Sequence, residues 1–153
     1  EYTTTTTLRR TLFFSQLQEG DAGSSNKYFE IYNPTDVSVD LANEYSIATC
    51  NDGCGSGPTF ESGFTFASGA TIAAGGTYLV CHSGMDGDTS SCDETSSSSI
   101  VTFNGDDVRA LISGTDYSTA TSSDIVDQIG LFSDWLKRRM SATIATQCIL
   151  LAT

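Results

Sequence analysis

Short runs of β-branched and aromatic residues, each soon cut off by glycine or another turn-forming residue, leave this chain little choice but to build sheets. No apolar stripe at helical spacing persists over most of its length. Strands are expected at residues 12–17, 28–32, 45–49, 64–66, 77–81, 100–103, 108–112 and 125–129. So many short strands within 153 residues predict a single all-β domain, a sandwich or barrel around one core.

Successive side chains of a strand point to opposite faces, so within residues 27–33 Phe29 and Ile31 should enter the core while Tyr28, Glu30 and Tyr32 face outward. Asn33-Pro34-Thr35-Asp36 should end that strand, because proline cannot donate to a ladder and Asn and Asp favour turns. Asn104-Gly105 carries the strongest hairpin signal, since this pair accepts the positive φ angles of a type I′ turn. Strands are therefore expected on both sides of it.

Seven basic against nineteen acidic side chains give a net charge of -12, which repels phosphate backbones and anionic membrane surfaces. Nucleic acid is therefore not expected as a partner. Without an apolar run of about eighteen residues, membrane insertion is not expected, and with Glu1 in first place the chain reads as a mature, soluble protein. Five cysteines in so short a chain suit an oxidising compartment, outside the cell or at its surface. Zinc is disfavoured because the one histidine is His82 and no pair of Cys-x-x-Cys knuckles exists. Disulfides are expected between Cys50 and Cys54 and between Cys81 and Cys92, each closing a local loop at a strand end, which leaves Cys148 free or paired between molecules.

Four segments in this order carry a family resemblance: residues 25–34 (SNKYFEIYNP) with Val39-Asp40-Leu41, residues 74–81 (AGGTYLVC), residues 103–107 (FNGDD) and residues 127–130 (DQIG). Together they resemble the lamin tail domain family, over residues 12–132. The resemblance implies an immunoglobulin-like β-sandwich without a catalytic set. It also implies a tail of nuclear lamins or an accessory module of secreted proteins; the missing heptad rod and the cysteines favour the secreted branch. Residues 1–11 form a Thr-rich arm outside that sandwich, and residues 133–153 a basic segment that could hold a final strand.

Enzymatic constellations are thin. His82 follows Cys81 at a strand end and reads as an exposed residue opening a loop. Asp106 and Asp107, as strand neighbours, should point to opposite faces and share no substrate. Asp86, Asp88, Asp93 and Glu94 lie in one loop and make calcium the one conceivable cofactor, although their spacing is not that of an EF-hand and a solvated acidic loop explains them too. Tyr28 and Tyr32 share a face on which a sugar could stack, or which could serve as a packing contact.

Charge is segregated. Residues 1–11 and 135–153 hold Arg9, Arg10, Lys137, Arg138 and Arg139 against Glu1, whereas residues 12–134 hold two cations against eighteen acids. Opposite charges on separate parts of one molecule favour head-to-tail contact. The expected function is a non-enzymatic, self-associating subunit of an extracellular fibre or coat, its partner being itself; the alternative is a module that binds carbohydrate or another surface protein, with or without calcium. No Asn-x-Ser/Thr acceptor with x other than Pro is present, so glycans would be O-linked, at Thr3, Thr4, Thr5, Thr6 and Thr7 and at Ser96, Ser97, Ser98 and Ser99. Residues 2–11 would lie along a neighbouring subunit, with Leu8 as apolar anchor and Arg9 and Arg10 meeting acids, or else form the first strand of their own sandwich.

Overall fold

A computed structural model describes residues 11–20, 25–54 and 60–130. Its strands are β1 (Phe13–Gln18), β2 (Tyr28–Tyr32), β3 (Val39–Asp40), β4 (Tyr45–Cys50), β5 (Ser62–Thr65), β6 (Thr71–Ile72), β7 (Thr77–His82), β8 (Glu94–Ser96), β9 (Val108–Ser113) and β10 (Ile125–Ile129). One short helix, α1 (Leu41–Glu44), is capped by the Asp40 carboxylate, which accepts from the Asn43 amide at 3.1 Å. One sheet has the order β1-β2-β7-β8, the other β10-β9-β4-β5, and β3 pairs with β6 in a small ribbon. This is an all-β sandwich, as the strand pattern predicts, of the immunoglobulin-like kind that the family resemblance implies.

The alternation in β2 holds as expected: Phe29 and Ile31 are fully buried, and Tyr28, Glu30 and Tyr32 are half-buried on the other face. Between the sheets, Phe64, Phe66 and Tyr78 meet edge to face at 5.5 and 5.7 Å, carrying the core from β5 to β7. β1 and β10 run side by side along one seam of the sandwich, where the Phe14 amide donates to the Asp127 carboxylate at 2.8 Å. Each of these strands carries a register shift, between Phe14 and Gln16 and between Ile125 and Asp127. β1 is the edge strand of its sheet, so an amide on its outer side is available for the contact with Asp127.

Two local expectations fail. Residues 100–103 are not a strand: Ser99–Val101 forms a 3-10 turn, and the carbonyls of Ser99 and Ile100 turn toward the Arg109 guanidinium instead of a neighbouring strand. Asn104-Gly105 therefore closes no hairpin. The Asp107 amide does donate back to the Asn104 carbonyl at 3.0 Å, but neither Asn104 nor Gly105 takes a positive φ. The serine-rich Thr95–Ser99 tract is structured: β8 pairs in parallel with β7, beside the Cys81–Cys92 disulfide, whose Cα atoms lie 5.9 Å apart. The arm formed by residues 1–11, apart from Thr11, and the segment from residue 131 onward lie outside the described residues.

Asn33 is the hub between β2 and β7. Completely buried, its amide nitrogen donates to the carbonyls of Val37, Ile72 and Ala73, and its oxygen accepts from the Thr35 amide and hydroxyl. Its backbone is joined in both directions to the Gly75-Gly76 turn, where Gly75 takes a φ of 67° that only glycine adopts freely. Removing the amide strands several inward carbonyls. Asn33→Ala should lower unfolding free energy by about 3 kcal/mol in urea titrations, and a loss under about 1 kcal/mol would show that the hub is dispensable.

Candidate functional site

The seam between β1 and β10 opens at both ends. At one end, Thr11, Leu12, Phe13, Tyr32, Pro34, Val126 and Asp127 line a shallow open groove. At the other, a cavity of about 220 Å³ is lined by Leu17, Glu19, Phe103, Asn104, Gly105, Asp107, Arg109, Ile129 and Gly130. Leu17, Phe103 and Ile129 give it apolar walls, and Glu19 and Asp107 bring carboxylates beside the Arg109 guanidinium. Glycine is required at the lip: Gly130 has a φ of 88°, and a Cβ there would sit 2.1 Å from the Asp107 carbonyl oxygen.

Beneath this cavity lies an arrangement that the sequence reading missed. Lys27 and Arg109, the only lysine and arginine among the described residues, are both buried and both stand over the Phe103 ring, at 5.6 and 5.5 Å from its centroid. Arg109 spends its guanidinium on the carbonyls of Ile100, Val108 and Ser99, with the Asp107 carboxylate at 3.6 Å. Burial pulls its pKa down to about 10 against the opposing pull of Asp107, so the group stays protonated at neutral pH. The Lys27 ammonium donates to the Phe103 carbonyl. A signal was present: Arg109 shares strand parity with Leu111, which aims it inward.

Asp106 and Asp107 do not behave as strand neighbours. Because they sit in a turn, their carboxylates and that of Asp52 come within 4.8 Å of one another. Asp107 accepts from the amides of Asp52 and Asn104, and Asp52 holds a φ of 52°. Among the described residues this is the acidic group the fold assembles, whereas Asp86, Asp88, Asp93 and Glu94 are dispersed. Asp86 faces Asn26, Asp93 accepts from the Leu79 amide, and Glu94 accepts from Tyr78 and the Ala67 amide. Hydrogen bonds from the Ser90 amide and hydroxyl hold Asp88 below the ordinary carboxylate range. The four do not share one point at which an ion could sit.

His82 is half-buried at the end of β7 and its Nδ1 accepts from the Gly84 amide at 2.9 Å. Tyr32 packs edge to face on Phe13 at 5.4 Å, and the Tyr28 hydroxyl donates to Gln16. Cys50 is disulfide-bonded, but its expected pairing with Cys54 lies outside the described side chains. Cys148, Leu8, Arg9, Arg10, Lys137, Arg138, Arg139 and the five arm threonines lie outside the described residues as well. Of the four serines proposed for glycans only Ser97 is exposed, since Ser96, Ser98 and Ser99 are half-buried and hydrogen-bonded. For the buried cluster, Asp107→Asn should cost about 3 kcal/mol, because it leaves the interior Arg109 guanidinium without a carboxylate. Urea titration checks this, and a change within about 0.5 kcal/mol would contradict the role given to Asp107.

A family model described as Lamin Tail Domain matches residues 5–130. No curated protein matches the sequence. The matched span holds all four motif segments, and the structure joins them in pairs: the Asn33 segment against the Gly75 turn, and the Asp107 turn against Gly130. On the family match and this architecture, the chain belongs to the lamin tail domain family, an immunoglobulin-like module.

Proposed function

We propose that this chain is a non-enzymatic structural subunit of an extracellular fibre or coat, and that self-association is its activity. The observation carrying this reading is the disposition of charge. Both cations of the described residues are turned inward, so the exposed charged side chains there are all acidic. The remaining cations, Arg9, Arg10, Lys137, Arg138 and Arg139, stand near the chain ends. An acidic body with basic ends is complementary to further copies of itself. The Cys81–Cys92 disulfide supports an oxidising compartment, and the consecutive threonines 3–7 offer clustered hydroxyls for O-linked sugar.

A second reading draws on the open groove. Phe13, two-fifths exposed and stacked edge to face on Tyr32, with Pro34 and the Asp127 carboxylate nearby, offers the aromatic face and acceptor that a sugar would use. A glycan-array signal abolished by Phe13→Ala would favour this reading.

Sedimentation velocity of the full chain across ionic strength tests the leading proposal. Association that rises with protein concentration at about 0.05 M salt and is lost toward about 1 M is the expected result, because exposed charges are screened beyond the Debye length. A monomer under all these conditions contradicts it.

A further inference from the structure

The two ends of the β1/β10 seam are unlike in a way that gives self-association a direction. The chain enters the sandwich at Thr11, in the open groove, and only then runs along β1 to Leu17 and Glu19 at the acidic cavity. Immediately before Thr11 come Leu8, Arg9 and Arg10. The geometry points to the acidic cavity as the receptor for the Leu8-Arg9-Arg10 segment of a second copy of this chain, an inference that rests on the self-association proposed above.

Complementarity is the first support. Leu17, Phe103 and Ile129 give the cavity apolar walls suited to one aliphatic side chain such as Leu8. Glu19 in its lining and the exposed Asp52 and Asp106 beside buried Asp107 supply the carboxylates that two guanidinium groups would meet. Asp52, Asp106 and Asp107 crowd together, and of the three Asp107 is paired with the buried Arg109, so a cation from outside relieves the repulsion felt by the other two.

Chain reach is the second support, and it decides between a copy's own arm and another's. Leu8 is three residues from Thr11 and can lie at most about 11 Å from it. Leu17 lies four residues beyond Phe13 along β1, about 13 Å further from the groove end at which Thr11 lies. To enter its own cavity Leu8 would have to double back along that whole span, whereas an arm leading outward from Thr11 meets the cavity of another copy. The contact is made between copies, from the groove end of one to the cavity end of the next. Such a contact is heterologous and propagates into a filament unless it closes into a ring.

Two variants of the full chain test this, Arg9→Gln/Arg10→Gln for the arm and Glu19→Gln/Asp106→Asn for the cavity. Glu19 and Asp106 are exposed, and an unchanged thermal midpoint verifies the folding of both variants. Each alone should raise the concentration for half-assembly at least tenfold. Mixed in equal amounts they should form a one-to-one dimer that grows no further, since the mixture holds one intact arm-cavity pair and no other. A third variant, Lys137→Gln/Arg138→Gln/Arg139→Gln, should assemble like the parent. Folded variants that assemble like the parent, or that stay monomeric when mixed, would overturn the arm-cavity contact while leaving self-association in place. Loss of assembly in the third variant with the arm variant unaffected would overturn it in favour of the C-terminal segment. A parent chain that never assembles would remove the functional proposal itself.

Discussion

Phe103 holds two cations. Around its ring the fold gathers Lys27 from the start of β2 and Arg109 from the start of β9, one from each sheet. Burying a guanidinium costs several kcal/mol unless its donors are met, and here three backbone carbonyls and one carboxylate meet them. Two of those carbonyls, of Ser99 and Ile100, belong to the segment that leads into Phe103. The cation thus prevents that segment from pairing as a strand, sets the turn at residues 104–107, and through Asp107 shapes both the acidic group and the cavity.

The same arrangement explains the exterior. A domain that uses its lysine and arginine inside has none of either left, among its described residues, to balance the carboxylates outside. Many of those carboxylates serve the fold locally by accepting backbone amides: Asp40 for α1, Asp93 for β7, Asp127 across the seam, Asp116 and Asp124 in the loop before β10. Acidity is therefore partly structural. A surface of one sign attracts whatever carries the other.

Local pattern was enough wherever local pattern governs. Alternation placed Phe29 and Ile31 in the core, and β10 begins and ends where its apolar residues do. The failures share one cause, contacts from far along the chain. Residues 100–103 read as a strand because nothing within them reveals that Arg109 will claim two carbonyls. Asp106 and Asp107 looked like strand neighbours until a turn brought them beside Asp52, whose amide bonds Asp107 across 55 positions of sequence. Serine and threonine composition hid β8, which is held against β7 where the Cys81–Cys92 bridge keeps the two segments adjacent. The four family motifs were legible one by one, whereas their meeting in two pairs was not.

Lys27 and Arg109 are interior and leave the surface of the described sandwich anionic. Mass-spectrometric mapping after amine acylation and arginine modification by a dicarbonyl reagent tests it on the native chain and on the chain unfolded in denaturant. Lys27 and Arg109 should stay unmodified in the native chain and react once it unfolds. Native reactivity of either residue at the rate found in denaturant would contradict the buried cluster, and with it the account of how this domain comes to have an acidic face.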